Sequence, residues 1–148
     1  MKPSLSQRSG RRSFWSVTWA LFVGALLVVA VARADDKAPT PSQPAKKIQI
    51  EEVEKLRADK KCTVLDVRTP KEFSAGHIAG AVNIDIKSPD FEKKVEALDK
   101  DKPYIVHCAR GGRSAAACEK MEKLGFKLLY DFSGGMNAWQ TAGKPTEH

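Results

Sequence analysis

The sequence has few of the side chains from which metal sites are built. Its 148 residues include three cysteines and three histidines, and these are scattered along the chain without the spacing of metal ligands. We therefore expect no metal site. The composition, with 42% hydrophobic and 29% charged residues, is that of an ordinary globular protein, and the length provides for one domain plus a tail or targeting segment.

The first 34 residues contain no acidic side chain. Five basic residues in this stretch supply most of the formal net charge of +7, whereas the 20 basic and 18 acidic residues from Asp35 onward leave a net charge of +2. A near-neutral domain with interspersed charges lacks the basic surface typical of nucleic-acid binding. We therefore expect no nucleic-acid partner.

Charged residues are also absent from residues 14–32. This largely apolar stretch follows a basic N-terminus and ends at Ala32-Arg33-Ala34, an order typical of a secretory signal. We predict that residues 1–34 are an export signal cleaved after Ala34, that the mature protein lies in a bacterial periplasm, and that only this segment meets the membrane. The alternative is an uncleaved anchor through residues 14–32, because about 20 apolar residues span a bilayer.

Two export routes remain open, because Arg11-Arg12-Ser13-Phe14 resembles a twin-arginine signal and basic signal regions also serve the general secretory route. Residues 35–47 contain three prolines, several charges and no large apolar side chain. This composition indicates a semi-extended linker. The folded unit is therefore expected to begin at Ile48 and to continue to His148.

Short β-branched or apolar runs alternate with amphipathic stretches after the linker. Strands are predicted at 48–50, 63–67, 81–84, 104–107 and 128–132, and helices at 50–59, from 69, at 88–98, at 114–124 and after 134–135. Thr69, Pro70 and Glu72 have the pattern of a capping box at a helix start. The alternation predicts an α/β fold with a parallel sheet of about four or five strands, flanked by helices on both faces.

The predicted strand ends carry the residues with the most chemistry. Asp66 and Arg68 follow one strand, and Cys108 follows another. Parallel sheets bind their ligands beyond the carboxyl ends of the strands. The sequence therefore predicts a site at this edge.

Residues 107–114 place a thiol at a strand end, then a glycine-rich loop, then a helix start. Successive backbone N–H groups in such a turn converge on an anion, and glycines permit the tight curvature. The helix N-terminus, Arg110 and Arg113 add positive field. We expect the pKa of Cys108 to be lowered, so that a nucleophilic thiolate is available near neutral pH.

Three segments, 65–73, 76–84 and 108–114, resemble the motifs of a single-domain rhodanese, and Gly134-Gly135-Met136 with Trp139 adds a weaker fourth. The resemblance implies a rhodanese-like domain over residues 48–148 with thiosulfate sulfurtransferase activity. Cys108 would take sulfane sulfur from a small anionic donor such as thiosulfate, and carry it as a persulfide to a thiophilic acceptor. That acceptor would be cyanide, a thiol or a sulfur-accepting protein. The covalent persulfide needs no dissociable cofactor.

The resemblance also assigns roles to residues around Cys108, the expected catalytic residue. The persulfide loop that binds substrate would comprise Ala109, Arg110, Gly111, Gly112, Arg113 and Ser114. Arg113 lies at the family's basic position, whereas Arg110 projects from the loop crown and is expected to set donor preference. Supporting structural roles are expected for Asp66 and Arg68, which would pair below the loop, and for Glu72, whose helix cap suffices to explain it.

Two alternative functions remain open. Cysteine-dependent phosphatases and arsenate reductases also use an anion loop that ends in arginine, but theirs is one residue longer than the four-residue gap between Cys108 and Arg113. The shorter loop makes a smaller cup, which suits one sulfur atom. The other alternative is a non-catalytic binding module, although such rhodanese-like domains typically lack the cysteine.

The remaining histidines and cysteines are expected to be structural. His77 lies in a predicted turn, where we expect it to hold backbone groups. His107 ends a buried strand, and the alternative to a structural role is that it tunes the Cys108 thiolate. Cys62 begins its strand whereas Cys108 ends another, so the two should lie at opposite edges of the sheet. Cys118 should pack inside the helix after the loop. We predict that neither of these two cysteines forms a disulfide with Cys108.

Overall fold

The structure is a computed structural model that describes residues 43–60 and 62–148. The predicted export signal, and residues 35–42 of the predicted linker, lie outside the described residues. Within the described part of the chain, no helix is both long enough and apolar enough to cross a membrane.

The described residues form seven strands, numbered in chain order: β1 (Lys46–Ile48), β2 (Thr63–Asp66), β3 (His77–Ile78), β4 (Val82–Asn83), β5 (Pro103–His107), β6 (Leu128–Phe132) and β7 (Thr146–Glu147). Five of them make one parallel sheet in the order β1-β6-β5-β2-β4. The other two, β3 and β7, pair antiparallel in a small separate sheet. The predicted parallel sheet is confirmed.

Helices cover both faces of the parallel sheet; they are α1 (Ile50–Ala58), α2 (Pro70–Ser74), α3 (Phe91–Glu96), α4 (Gly112–Lys123) and α5 (Gly135–Thr141). Successive side chains of a strand point to opposite faces. Leu65 and Val106 therefore pack in one apolar cluster with residues of α3 and α4, whereas Val64 and Ile105 pack in the other with residues of α1 and α5. The predicted α/β layers are confirmed.

The first strand begins earlier than expected. β1 starts at Lys46, inside the predicted linker, because its backbone pairs with β6 from Lys46 opposite Tyr130 to Ile48 opposite Phe132. Both lysines of β1 are exposed, and an edge strand tolerates charged side chains. The folded unit therefore includes two residues before Ile48.

Two helix starts also differ from the prediction. α3 begins at Phe91 rather than Ser88, because Ser88 first forms a turn in which its carbonyl accepts the Phe91 N–H at 3.0 Å. α4 begins at Gly112 rather than Ser114, because the Gly111 carbonyl already accepts the Ala115 N–H at 3.0 Å. The loop after Cys108 is thus shorter than expected, and its last residues belong to the helix.

Candidate active site

Two adjacent strand ends bring the predicted site residues together. β2 and β5 are parallel neighbours, with Asp66 opposite His107, and the Val67 N–H donates to the His107 carbonyl at 2.9 Å. Cys108 follows β5 directly, and Arg68 lies two residues beyond the end of β2. All of them lie at the carboxyl edge of the sheet, where parallel sheets bind ligands.

The Cys108 sulfur lies in the cup of its loop. Cys108 is 2% exposed, and its Sγ accepts the Gly111 N–H at 3.1 Å. Burial, the largest single influence, raises the pKa of the thiol, but hydrogen bonds outweigh it and hold the pKa below its ordinary value. Their donors are the backbone N–H groups of Ser114, Arg110, Arg113 and Gly111.

The early start of α4 supplies two of those donors. The first N–H groups of a helix have no partner within the helix, and Arg113 and Ser114 lie in the first turn of α4. Gly111 precedes this turn with a φ of +91°, a conformation that glycine adopts readily. A Cβ at Gly111 would also collide with the Ser133 carbonyl. Glycine therefore permits both the curl of the loop and its close contact with the chain after β6.

Glu72 in α2 holds the Arg113 side chain. The two terminal nitrogens of Arg113 donate to the two carboxylate oxygens at 2.8 and 2.7 Å, a bidentate pair that is stronger than a single neutral hydrogen bond. Glu72 also accepts the backbone N–H of Thr69 at 3.1 Å and completes the predicted capping box. The expectation that a helix cap suffices to explain Glu72 is therefore wrong, because the same carboxylate joins α2 to α4.

The two arginines of the loop differ in their partners and in their exposure. The hydrogen bond from Arg113 is the main cause that holds the pKa of Glu72 well below its usual range, and the same bond raises the pKa of Arg113. The Arg113 guanidinium also interacts with the Cys108 thiolate. The Arg110 side chain is exposed. Arg113 is thus held by Glu72 beside Cys108, while Arg110 presents its charge to the solvent.

Asp66 and Arg68 form a buried ion pair below the loop. Arg68 donates from Nε and Nη2 to the Asp66 carboxylate at 2.6 to 3.0 Å, and the two residues are 6% and 0% exposed. Arg68 also donates to the Gly76 carbonyl at 2.8 Å, and Asn83 donates to the carbonyls of both residues of the pair. The predicted pairing is confirmed. Removing either charge would leave the other buried and unpaired, which is strongly destabilising.

The start of α5 holds the loop through hydrogen bonds to its carbonyl groups. The Met136 N–H donates to the Cys108 carbonyl at 2.8 Å, and the Asn137 N–H donates to the Ala109 carbonyl at 3.1 Å. Gly135 has a φ of +57°, and a Cβ there would collide with both carbonyl groups. The Gly134-Gly135 pair in the sequence therefore marks a backbone contact with the loop.

Asp131 is a site residue that the sequence did not reveal. It lies in β6, is 3% exposed, and accepts the Ser114 hydroxyl at 2.6 Å. The same hydroxyl lies 3.0 Å from the Gly111 carbonyl. Asp131 thereby fixes Ser114, one of the residues whose N–H groups face the Cys108 sulfur. The signal available in the sequence was an acidic residue within an apolar strand.

The other cysteines and histidines lie outside the cup. Cys62, Cys108 and Cys118 are all free thiols, and burial raises the pKa of both Cys62 and Cys118. His77 stacks on Phe73 with ring centroids 3.7 Å apart, and its Nδ1 lies 3.0 Å from the Phe73 carbonyl. His77 thus holds a turn backbone group, as the sequence predicts.

Comparison with known proteins assigns this arrangement to a family. A family model described as the Rhodanese-like domain matches residues 49–142, which span both strand ends and the whole Cys108 loop. The chain belongs to the rhodanese family. The resemblance in its motifs is therefore confirmed as membership, and this rhodanese places its one loop cysteine at the expected strand end.

Named relatives and solved structures agree with this assignment. The chain is 40% identical over 93 residues to the chloroplastic thiosulfate sulfurtransferase 16 of Arabidopsis thaliana, which covers 56% of this chain and 78% of the relative. It is 35% identical over 97 residues to the thiosulfate sulfurtransferase GlpE of Pseudomonas fluorescens, and this match covers 65% of this chain and 85% of the relative. The crystal structure of a rhodanese-related protein from Thermoplasma volcanium matches with a TM-score of 0.59 at 37% identity, and the match covers 69% of this chain and 97% of that structure.

Proposed function

We propose that this rhodanese transfers sulfane sulfur from thiosulfate, or a related small anionic donor, to a thiophilic acceptor through a persulfide on Cys108. The observation that carries the proposal is the position of the Cys108 sulfur, which faces four backbone N–H groups that lower the pKa of its thiol. Relatives named thiosulfate sulfurtransferase support the choice of donor. The covalent intermediate requires no dissociable cofactor.

The reaction divides into two displacements at sulfur. In the first, the Cys108 thiolate attacks the outer sulfur of thiosulfate, a new S–S bond forms, and the S–S bond of thiosulfate breaks so that sulfite leaves with the electron pair. In the second, a nucleophilic acceptor such as cyanide or a thiolate attacks the outer sulfur of the persulfide. The Cys108–sulfur bond then breaks and the Cys108 thiolate returns.

The loop residues have different roles in these two steps. The N–H groups of the cup stabilise the thiolate and then the persulfide anion, as fixed dipoles do where charge develops. Arg110, exposed at the loop crown, attracts the anionic donor and sets donor preference. Arg113 holds the loop against α2 through its bidentate pair with Glu72. Each of its terminal nitrogens keeps a second N–H, so its charge beside Cys108 also serves the anionic donor.

The phosphatase alternative is weakened by the length of the loop. The four residues between Cys108 and Arg113 are one fewer than in phosphatases of this type, and the smaller cup suits one sulfur atom better than a tetrahedral phosphate. We therefore expect no hydrolysis of an aryl phosphate. The non-catalytic alternative is disfavoured because the cysteine is present and the pKa of its thiol is lowered.

Thiocyanate formation from thiosulfate and cyanide tests the proposal. Wild type and Cys62→Ser should both turn over, because Cys62 lies before β2, away from the loop, whereas Cys108→Ser should be inactive. Arg110→Ala should raise KM for thiosulfate, with kcat changed less, because a positioning charge is removed. Thiocyanate formation that survives in Cys108→Ser, or hydrolysis of an aryl phosphate by wild type without any thiocyanate, would overturn the proposal.

A further inference from the structure

His107 stands out among the buried polar residues. Of the described residues, it alone has a buried side-chain polar atom, Nε2, without a hydrogen-bond partner. The residue is fully buried at the end of β5, directly before Cys108, and the sulfur transfer proposed above does not use it. Buried polar groups normally have partners, so the position of this ring needs an explanation.

The two ring nitrogens of His107 have different surroundings. Nδ1 lies 3.3 Å from the Cys108 carbonyl oxygen, whereas Nε2 lies 3.7 Å from the Asp66 carboxylate, outside hydrogen-bonding range. A carbonyl oxygen only accepts, so Nδ1 must carry the proton for the first contact to be a hydrogen bond. Nε2 of the neutral ring is then an acceptor, and two acceptors are expected to keep such a distance.

The charges around the ring favour this neutral form. Burial is the main cause that lowers the pKa of His107, with Arg68 and His77 acting in the same direction, while Asp66 and the contact with Cys108 oppose it. The opposing carboxylate is largely occupied, because Arg68 donates to both Asp66 oxygens. The ring therefore lies beside an ion pair that is already balanced.

We propose that His107, as a neutral ring protonated on Nδ1, is a positioning residue that holds the Cys108 carbonyl and with it the first turn of the sulfur-carrying loop. The inference rests on the proposed function for its catalytic consequence. The Cys108 carbonyl also accepts the Met136 N–H at 2.8 Å, and the two lone pairs of the oxygen accommodate both donors. Together they set the peptide plane from which the loop turns its N–H groups toward Sγ.

A pair of substitutions distinguishes the roles of the two ring nitrogens of His107. The amide nitrogen of asparagine can take the place of Nδ1, whereas that of glutamine takes the place of Nε2. His107→Asn should therefore keep the donor to the Cys108 carbonyl, and His107→Gln should lose it. His107→Phe replaces the Gln variant if that variant does not fold, because it keeps a ring near Phe132, whose centroid is 6.5 Å away.

Two readouts report on the loop in these variants. The first is the rate of persulfide formation from thiosulfate, followed by intact mass, and the second is the pH midpoint of Cys108 alkylation by iodoacetamide. His107→Asn should load sulfur within about twofold of wild type, whereas His107→Gln should load roughly fivefold more slowly, the effect of one hydrogen bond. The pH midpoint of alkylation should rise in the Gln variant only, because the backbone N–H groups of the loop then no longer converge on the Cys108 sulfur.

Equal behaviour of the Asn and Gln variants in both readouts would overturn the proposal. So would nitrogen NMR of the histidine rings that shows His107 protonated on Nε2 in the folded protein at neutral pH. If wild type takes up no sulfur, the proposed function fails, but the alkylation midpoints still decide whether His107 positions the loop. The two failures are therefore distinguishable.

Discussion

Cys108 and Cys118 are both 2% exposed, yet the pKa values of their thiols shift in opposite directions. Burial raises the pKa of Cys118, and the carboxylates of Asp131, Glu122 and Glu119 raise it further. Cys108 undergoes the same desolvation, but backbone N–H groups outweigh it and lower its pKa. The residue type and its exposure are therefore insufficient to make a nucleophile, and the donors around the sulfur decide.

Among single residues, Glu72→Gln should lower the free energy of unfolding by about 1 to 2 kcal/mol, because a bidentate charged pair to Arg113 is lost. Glu92→Gln is the control, because Glu92 pairs with Lys120 at 2.8 Å but the two side chains are 61% and 44% exposed. That exposed pair should contribute less than about 1 kcal/mol. Urea unfolding of both variants at pH 7 provides the measurement.

The Glu72 effect should also depend on pH. The folded-state pKa of Glu72 is lowered, so its contribution is present above its unfolded pKa of about 4.3 and is lost as the pH falls through the folded-state value. The stability difference between wild type and Glu72→Gln should therefore shrink as the pH is lowered below about 4.3. A difference that stays constant from pH 7 to pH 3 would contradict the assigned pairing.

Among the elements of the fold, the loop after Cys108 lies between two helix starts. α4 supplies N–H groups to the Cys108 sulfur, while α5 donates two N–H groups to the carbonyls of Cys108 and Ala109. Since the first N–H groups of any helix lack partners within the helix, both helices have donors available here. The loop shape therefore depends on how closely α5 approaches it.

Gly135→Ala tests that approach. Gly135 and Gly143 have similar φ values, +57° and +64°, but a Cβ at Gly135 would collide with the loop backbone whereas nothing lies within 4 Å of one at Gly143. Gly143→Ala should cost about 1 kcal/mol for the left-handed backbone alone. Gly135→Ala should cost at least about 2 kcal/mol and slow sulfur loading. Equal stability losses in thermal unfolding would show that the contact is unimportant.

Sequence patterns predicted the elements whose signal is local. The apolar run of β2 and the capping box at Thr69 are examples, because neighbouring residues determine both. The pair between Glu72 and Arg113 joins residues 41 positions apart, and no spacing rule reports it. The role of Asp131 likewise depends on a tertiary contact, since this residue of β6 fixes the hydroxyl of Ser114 in α4.

At the scale of the whole molecule, the rhodanese domain follows an N-terminal segment that is predicted to direct export. We propose that the mature protein works in a bacterial periplasm, an oxidising compartment that favours disulfides. A transferring thiol must remain unpaired there. The positions of the other cysteines suit this requirement, because Cys62 lies before β2 at the opposite edge of the sheet and Cys118 is buried in α4.

The predicted export signal can be tested with protein purified from its native host. The first residue of the mature chain should be Asp35, because Ala32-Arg33-Ala34 has the small side chains that the signal peptidase requires. Intact mass and N-terminal sequencing would locate it. A mature protein that begins upstream of Asp35 would contradict cleavage after Ala34 and favour the anchor through residues 14–32.

Cys108 is proposed to carry the transferred sulfur, and intact-mass analysis after thiosulfate treatment detects that step itself. Wild type should gain the mass of one sulfur atom, lose it on addition of cyanide, and show the modification on the peptide that contains Cys108. Cys62→Ser should behave like wild type, and Cys108→Ser should gain nothing. No gain in wild type, or an equal gain in Cys108→Ser, would exclude Cys108 as the sulfur carrier.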